Sequence, residues 1–350
     1  MPALTVFTLC SANYLAHAKT LGESVRRHHP AARFVIGLVD RVPAALPEGF
    51  LDGHEVLPVE QLAIAGFADM AARYNVVELN TAVKPFYFEH LYAHPGDAEA
   101  VIYLDPDIVL FAPMEKILAR LRTHQLVFTP HSCSADDSLN VIHYEMAMLT
   151  TGVFNLGFLA TGRGEETARF LRWWQRRLFD HCYYRPGAGL FVDQLWTVLA
   201  PAYFESSLVE RDPGHNTAYW NLFERRLARG PAGWVVNGAH PLIFYHFSNY
   251  NPTKPEKLAN RAWPAVPTFA ERPEMTPLFD DYRASLLRNG YEAAQPFKCV
   301  FGTTGRTTAE RPPGPAKRLA GRALHALPRG LREFAGRAGA FVARHCSPAS

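Results

Sequence analysis

Short apolar runs alternate with longer amphipathic segments along the first third of the chain. The apolar runs cover residues 4–10, 34–40 and 101–104 and predict buried strands. Two amphipathic segments, one beginning after Asn13 and one covering residues 78–92, predict helices. In the first of them Asn13 is the expected N-cap, and apolar positions recur at helical spacing: Tyr14, Ala18, Leu21 and Val25. Alternating strands and helices predict an α/β fold with a doubly wound, mostly parallel central sheet.

Beyond residue 110 the alternation is less regular. It predicts a strand at 153–160, helices at 164–180 and 191–199, and late strands at 234–238 and 241–247. We expect one domain over residues 1–300, with a nucleotide-binding half at about 1–110 and a second half at about 111–300. Residues 301–315 have the Gly, Pro and Thr content of a linker, and residues 316–350 form a basic tail.

The charge distribution and the cysteines narrow the class of protein. The net charge is +3, but residues 311–350 hold eight Lys or Arg and one acidic residue, so the body is mildly acidic. An acidic body without a recognition motif argues against nucleic-acid binding. The five cysteines are scattered and predict reduced thiols. We expect no signal peptide and no membrane span, and therefore a cytoplasmic protein.

The tail offers a prediction about membranes. Its apolar positions fall at helical spacing and its arginines provide positive charge. A basic amphipathic segment binds anionic membrane surfaces, which would place the protein at the inner face of the membrane. The tail glycines weaken a helix, so a disordered basic tail is the alternative.

The segment V-I-Y-L-D-P-D-I-V-L-F, residues 101–111, contains the most informative chemistry. Asp105 and Asp107 interrupt an apolar run and point to the same side of an extended chain. They follow a strand of the expected parallel sheet, and ligands bind just beyond the carboxyl ends of such strands. Two carboxylates there suit Mg²⁺ or Mn²⁺. A D-x-D pattern alone is also typical of solvated turns and helix caps.

Together with five further features of the chain, this segment resembles glycosyltransferases of the nucleotide-diphospho-sugar (GT-A) fold, nearest the glycogenin and lipooligosaccharide galactosyltransferase group. The resemblance covers about residues 4–250 and includes F-T-L-C-S-A-N-Y, Lys84, F-N-L-G-F, F-V-D-Q-L and Y-H-F-S-N-Y-N-P in that order. It implies a nucleotide-sugar donor, most simply a UDP-sugar, and a metal site formed by Asp105, Asp107 and His246. The resemblance also implies that the transferred sugar retains its anomeric configuration.

The resemblance assigns roles to further residues. Thr8, Ser11, Asn13 and Tyr14 would line the base and ribose, and Lys84 would reach the diphosphate. The donor sugar would be contacted by Asn155, Gly157, Asp193 and Gln194, with Asp193 as a catalytic group beside Asp105 and Asp107. The loop of this chain departs from the family's His-x-x-Gly-x-x-Lys-Pro-Trp pattern. Three residues after His246 it has Asn249 in place of the glycine, and the tryptophan is missing.

Each of these residues also has a simpler interpretation. His246 could be a core histidine, Lys84 a solvated charge and Asp193 a helix cap. Asn155 and Gly157 could mark a bulge that permits close backbone approach.

The sequence therefore predicts a metal-dependent glycosyltransferase acting on a glycan, glycolipid or other acceptor in surface polysaccharide assembly. The alternatives are a sugar-1-phosphate nucleotidyltransferase and a non-catalytic protein that binds sugar nucleotides or membranes.

Overall fold

A computed structural model describes residues 3–93, 98–135, 142–260 and 266–302. They all belong to one compact unit, Met1–Thr304. A second unit, Gly305–Ser350, lies outside the described residues. The same holds for the predicted tail and for the predicted linker beyond Gly302.

The described residues form fifteen strands. In chain order these are β1 Leu4–Cys10, β2 Arg33–Leu38, β3 Glu55–Pro58, β4 Ala100–Leu104, β5 Ile108–Leu110, β6 Leu126–Phe128, β7 Phe158–Gly162, β8 Tyr184–Arg185, β9 Leu190–Phe191, β10 Ser207–Val209, β11 Thr217–Ala218, β12 Leu227–Gly230, β13 Gly233–Val236, β14 His240–Pro241 and β15 Phe244–His246.

Seven of these strands form the central sheet, in the order β10-β6-β7-β4-β1-β2-β3. The neighbours pair in parallel except at β7, which is antiparallel to both β4 and β6. The predicted α/β fold with a mostly parallel sheet is confirmed. Because β4 lies at the middle of the order, its carboxyl end opens onto the centre of one sheet edge.

Ten α-helices accompany the strands in the described ranges. They are α1 Leu15–His28, α2 Phe67–Arg73, α3 Val76–Ala82, α4 Lys84–Ala93, α5 Glu115–Arg120, α6 Ile142–Thr151, α7 Glu165–His181, α8 Ala200–Tyr203, α9 Thr276–Arg288 and α10 Tyr291–Ala294. Hence α1 and α7 lie close to their predicted positions, whereas the helix predicted at 78–92 is divided between α3 and α4.

Successive side chains of β4 enter two different cores. Val101 and Tyr103 belong to the core on one face of the sheet, and Ile102 and Leu104 belong to the core on the other. All four side chains are buried. A strand buried on both faces is continuously apolar, which is why residues 101–104 were recognisable in the sequence. A third core lies under β13, β15 and α9.

A smaller sheet, β11-β15-β5, brings a late segment of the chain next to the end of β4. Strand β15 runs antiparallel to β5 with His246 opposite Ile108. The backbone N–H of Phe247 donates to the carbonyl of Asp107 at 2.8 Å. This register places His246 beside the carboxylate pair.

Three sequence predictions at the level of elements are corrected by the structure. The chain at 153–160 becomes a strand only at Phe158, and residues 191–199 contain the short β9 and a 3-10 helix, Leu195–Leu199, in place of an α-helix. Asn13 does not cap α1, which begins at Leu15, because its Oδ1 accepts a hydrogen bond from Ser11 Oγ at 2.9 Å.

Two further features of the described residues concern the apolar content of the helices and the state of the cysteines. No helix there has the length and apolar content that crossing a bilayer requires. Four cysteines in these ranges are free thiols, namely Cys10, Cys133, Cys182 and Cys299.

Candidate active site

The carboxylate pair lies in a tight turn between β4 and β5. The N–H of Asp105 donates to the carbonyl of Gly157 at 2.8 Å, and the N–H of Ile108 donates back to the carbonyl of Asp105 at 3.0 Å. Pro106, between the two acids, has no N–H to satisfy and fixes its own φ angle. The turn thus holds both carboxylates at the sheet edge, with the side chain of Asp105 31% exposed and that of Asp107 18% exposed.

His246 completes a cluster of three potential metal ligands. Its Nε2 lies 3.0 Å from Asp107 Oδ1 and 3.6 Å from Asp105 Oδ2. One ligand atom from each of the three residues lies within 4.8 Å of the other two. Oxygen donors from carboxylates together with an imidazole nitrogen suit Mn²⁺ or Mg²⁺. The residues present therefore fit a divalent cation.

Two neighbours orient these ligands. The Tyr103 hydroxyl donates to Asp105 Oδ1 at 2.5 Å, so Oδ2 is the oxygen left facing His246. On the other side of the imidazole, Nδ1 of His246 lies 3.2 Å from Asn155 Oδ1. Groups of this kind, bonded to the ligands of a metal, hold them in the binding orientation.

The three titratable groups strongly influence one another. Burial raises the pKa of Asp105 above its usual range, although Lys84 and His246 oppose this. Burial acts in the same direction on Asp107, but the neighbouring His246 outweighs it and lowers the pKa of Asp107. For His246, burial would lower the pKa, but Asp107 and Asp105 outweigh burial and raise it. A cation would favour the charged form of both carboxylates.

Lys84 and Asp193 form a buried ion pair below this cluster. Lys84 Nζ lies 2.5 Å from Asp193 Oδ2 and donates to the carbonyl of Leu156 at 2.8 Å. Their side chains are 2% and 3% exposed. Each of these two side chains is thus engaged by the other in the interior, and their expected contacts with a diphosphate and with sugar hydroxyls stay predictions. The burial of Lys84 does contradict its interpretation as a solvated charge.

Gly157 is required for close packing against His246. A Cβ atom at this position would lie 2.5 Å from Cε1 of the His246 ring and 2.8 Å from its Nδ1. This close packing agrees with the close-approach interpretation of Gly157, and the expected contact of Gly157 with the donor sugar stays a prediction. The N–H of Gly157 also donates to Asn155 Oδ1 at 3.2 Å.

A cavity of about 530 Å³ adjoins the carboxylates. Asp105, Asn155 and Gln194 line it together with aromatic side chains that include Tyr184, Tyr219 and Trp220. Gln194 is fixed by two bonds, since its Oε1 accepts from the N–H of Leu156 at 3.2 Å and its Nε2 donates to the carbonyl of Thr151 at 2.8 Å. This volume and this lining are typical of a site for a small polar ligand.

A second cavity, of about 300 Å³, lies beside Asn13 and Tyr14. The Tyr14 ring is 42% exposed and stacks on His17 at a centroid distance of 4.4 Å. Asn249 lines both cavities and adopts a φ of 60°, a left-handed conformation that asparagine tolerates. The two cavities therefore share a wall.

Two residues expected near the base and ribose do not reach either cavity. Thr8 is fully buried within β1, which leaves its side chain no surface for a ligand. Ser11 is 5% exposed and donates to Asn13, so it orients that amide. Of the four residues predicted to contact the nucleoside, Asn13 and Tyr14 line a cavity.

Three residues of the site were missed in the sequence: Tyr103, His131 and Trp220. Tyr103 could have been found, because on a strand it shares a face with Asp105 two positions later. His131 follows β6, at the carboxyl end of a strand of the central sheet, which is a weaker signal. Trp220 gives no such signal, since it comes next to His246 only through the pairing of β11 with β15.

Two curated relatives from Bacillus subtilis (strain 168) are similar to part of the chain, which matches no family model. The uncharacterized protein YfnF is 26% identical over 168 residues, which cover 48% of this chain and 55% of YfnF. The uncharacterized protein YfnD is 28% identical over 183 residues, which cover 52% of this chain and 56% of YfnD. The chain thus spans about half the length of the curated relatives it matches.

Solved structures similar to the chain include two glycosyltransferases. The galactosyltransferase LgtC, in complex with donor and acceptor sugar analogs, is 16% identical with a TM-score of 0.43, covering 80% of this chain and 95% of LgtC. The apo form of GlyE from Streptococcus pneumoniae TIGR4 is 12% identical with a TM-score of 0.47, covering 84% of this chain and 64% of GlyE. Both of these solved structures are glycosyltransferases by name.

Proposed function

We propose that this protein is a metal-dependent glycosyltransferase that moves a sugar from a nucleotide-diphosphate donor to a glycan, glycolipid or other acceptor. The observation that supports this most directly is the cluster of Asp105, Asp107 and His246 at the edge of a cavity of about 530 Å³. The cluster lies at the carboxyl end of a central strand, where ligands of α/β sheets bind. A role in surface polysaccharide assembly is part of this proposal.

Asp105, Asp107 and His246 would hold Mn²⁺ or Mg²⁺. When bound, the cation offsets the negative charge that develops on the departing diphosphate. Tyr103 keeps one oxygen of Asp105 engaged, so the other oxygen remains directed toward His246. The buried pair of Lys84 and Asp193 supports the site from below, because Lys84 also holds the carbonyl of Leu156 between Asn155 and Gly157.

The two adjoining cavities suggest where the parts of the donor bind. Tyr14 presents an exposed ring on which a base could stack, and Asn13 offers an amide beside it. We propose the nucleoside in this smaller cavity, with a UDP-sugar as donor. Asn155 and Gln194 would bind sugar hydroxyls in the larger cavity, where an acceptor also has room. Retention of anomeric configuration is proposed from the family resemblance.

Location at an anionic membrane surface remains a proposal that concerns the basic tail, residues 316–350. The positive charge of the tail would favour such a surface, and a lipid-linked acceptor would be found there. Vesicle sedimentation of the full chain, with and without the tail arginines replaced by glutamine, tests this part separately.

Turnover of nucleotide sugars tests the proposed activity. The protein is incubated with Mn²⁺ and a panel of UDP- and GDP-sugars, and release of the nucleoside diphosphate is followed. Release that requires the metal supports the proposal. Formation of nucleoside triphosphate from pyrophosphate would identify a nucleotidyltransferase instead, and binding without turnover would identify a non-catalytic protein.

The Asp107→Asn variant makes this test specific to the site. It removes a charged ligand while keeping the size of the side chain, so we expect metal-dependent turnover to be lost and the fold to persist. Asp52→Asn, at an exposed position outside both cavities, is the matched control and should keep full activity. Retained turnover in Asp107→Asn would contradict the proposal.

A further inference from the structure

We propose that His131 is a positioning residue for the metal site: it accepts a hydrogen bond from Asn155, and Asn155 in turn holds the imidazole of His246 with Nε2 toward Asp105 and Asp107. This inference rests on the proposed function, since it concerns the orientation of one proposed metal ligand. The inference gives a role to His131, which is not one of the three candidate ligands and which the sequence analysis did not identify.

The backbone places His131 and Asn155 side by side. Residues 129–131 run antiparallel to residues 153–155 around a bridge between Pro130 and Phe154. The N–H of Asn155 donates to the carbonyl of Thr129 at 3.0 Å, and the N–H of His131 donates to the carbonyl of Val153 at 3.0 Å. This register puts His131 opposite Val153 and Asn155 opposite Thr129, so the side chains of His131 and Asn155 are diagonal neighbours on the same face of the pair.

The direction of each side-chain hydrogen bond follows from groups that have only one choice. The carbonyl of Val153 can only accept, so His131 Nδ1, at 3.3 Å from it, is the protonated nitrogen. In a neutral ring Nε2 is then an acceptor, and it lies 3.3 Å from Nδ2 of Asn155, which can only donate. Burial lowers the pKa of His131 to about 4, which keeps the ring neutral at neutral pH.

The same reasoning fixes the other side of the Asn155 amide. The N–H of Gly157 can only donate, so the atom of Asn155 at 3.2 Å from it is the carbonyl oxygen, Oδ1. That oxygen also lies 3.2 Å from Nδ1 of His246, which must therefore carry a proton and donate. In the neutral ring, which is the form that binds a metal, Nε2 of His246 then has its lone pair on the side where the two carboxylates lie.

Aromatic packing encloses this series of hydrogen bonds. The Trp220 ring meets His246 edge-on at a centroid distance of 5.1 Å and meets His131 at 5.5 Å. Asn221 Nδ2 donates to the carbonyl of His131 at 2.9 Å and holds its backbone in place. His131 is half-buried and lines the larger cavity, and these contacts of Trp220 and Asn221 limit the movement of its ring and backbone.

Removing such a partner typically weakens metal affinity by about 10- to 100-fold. Without the acceptor on His131, the Asn155 amide can rotate, and its NH₂ group would then face Nδ1 of His246. That arrangement favours the proton on Nε2, where it blocks coordination. The expected consequence is weaker metal binding by a protein that is otherwise folded.

Binding of Mn²⁺ to the full chain, followed by electron paramagnetic resonance of the free ion, tests this proposal. His131→Phe should raise the Kd for Mn²⁺ by about tenfold or more. His131→Gln keeps an acceptor and should bind close to wild type, as should His181→Phe, which replaces an exposed histidine that lines neither cavity. Equal affinity in His131→Phe and wild type would overturn the proposal, as would equally weak binding in a folded His131→Gln.

A second measurement does not depend on the folding of a variant. Nitrogen-15 spectra of histidine-labelled wild type with Mg²⁺ report which ring nitrogen of His246 carries the proton. The proposal expects the proton on Nδ1, and a proton on Nε2 would overturn it. If wild type binds neither metal, the proposed function fails as well; if it binds and the His131 variants do not differ, this inference alone fails.

Discussion

At the scale of single residues, the site is defined by carboxylates whose oxygens have different partners. Asp105 uses one oxygen to accept from Tyr103 and turns the other toward His246. Asp193, by contrast, is paired with Lys84 in the interior and is not a surface of the cavity. Three aspartates that look alike in the sequence therefore divide into two that can bind a cation and one that is paired with Lys84 in the interior.

The buried pair gives a prediction about stability. Lys84→Met leaves the carboxylate of Asp193 buried without its partner, so we expect the free energy of unfolding to fall by about 3–5 kcal/mol. The double variant Lys84→Met/Asp193→Leu removes both charges and should lose clearly less than the two single variants together. Urea unfolding of the three variants measures the coupling.

An ion pair at the protein surface, between Arg41 and Glu60, is the control for these three variants. Arg41 and Glu60 lie 2.8 Å apart with side chains 63% and 46% exposed. Arg41→Met should leave the free energy of unfolding close to that of wild type, because water screens such pairs. Strictly additive losses at Lys84 and Asp193 would show that the pair does not contribute as described.

At the scale of elements, the sequence predicted the strands better than the breaks between elements. The run 101–104 is apolar on both faces and was found with almost its observed bounds, Ala100–Leu104. The helix at 78–92 is divided because Pro85 has no N–H to donate to the preceding turn, and a new helix begins at Lys84. The predicted helix at 191–199 fails because Val192 adopts a φ of 41°, a left-handed conformation that no α-helix contains, and only Leu195–Leu199 are helical, as a 3-10 helix.

The candidate site was predictable only in part. The carboxylate pair and His246 could be named from the sequence, and the structure brings them together. The strand expected from residue 153 starts instead at Phe158, because the Asn155 side chain accepts from the N–H of Gly157 and forms a turn. That turn depends on a side chain and not on apolar spacing, so the pattern of residues could not predict it or the approach of His131.

Gly157→Ala tests the packing of this turn against β15. The added methyl group would lie 2.5 Å from Cε1 of the buried His246 ring, so either the ring or the turn must move. We expect a loss of about 1–3 kcal/mol in the free energy of unfolding together with weaker Mn²⁺ binding.

Gly187→Ala is the matched control for this change. Nothing lies within 4 Å of a Cβ atom at position 187, so stability and Mn²⁺ affinity should stay near wild type. Unchanged Mn²⁺ affinity in Gly157→Ala would argue against His246 as a ligand held by this contact.

At the scale of the whole molecule, the fold keeps several histidines neutral inside it. Burial lowers the pKa to about 4 for each of His17, His54 and His215. The unfolded chain has histidines with a pKa of about 6.5, so it takes up protons first as the pH falls. Their contribution to stability is present above pH 6.5 or so and is lost progressively as the pH falls toward 4.

His215 allows this sign to be tested. Its ring is 2% exposed and lies edge-on to Phe244 at a centroid distance of 5.9 Å. In His215→Phe the fall in unfolding free energy between pH 7 and pH 4 should be smaller than in wild type by up to about 3 kcal/mol. Urea unfolding at several pH values measures it, and an unchanged pH dependence would contradict the account.

The central claim is that a cation held by Asp105, Asp107 and His246 binds the diphosphate of the donor. Calorimetric titration of UDP and GDP into the protein, with Mn²⁺ and again with EDTA, tests it most directly. We predict binding of one nucleotide that requires Mn²⁺ and is lost in Asp107→Asn while Asp52→Asn behaves as wild type. Nucleotide binding of equal strength in EDTA, or in Asp107→Asn with Mn²⁺, would contradict the claim.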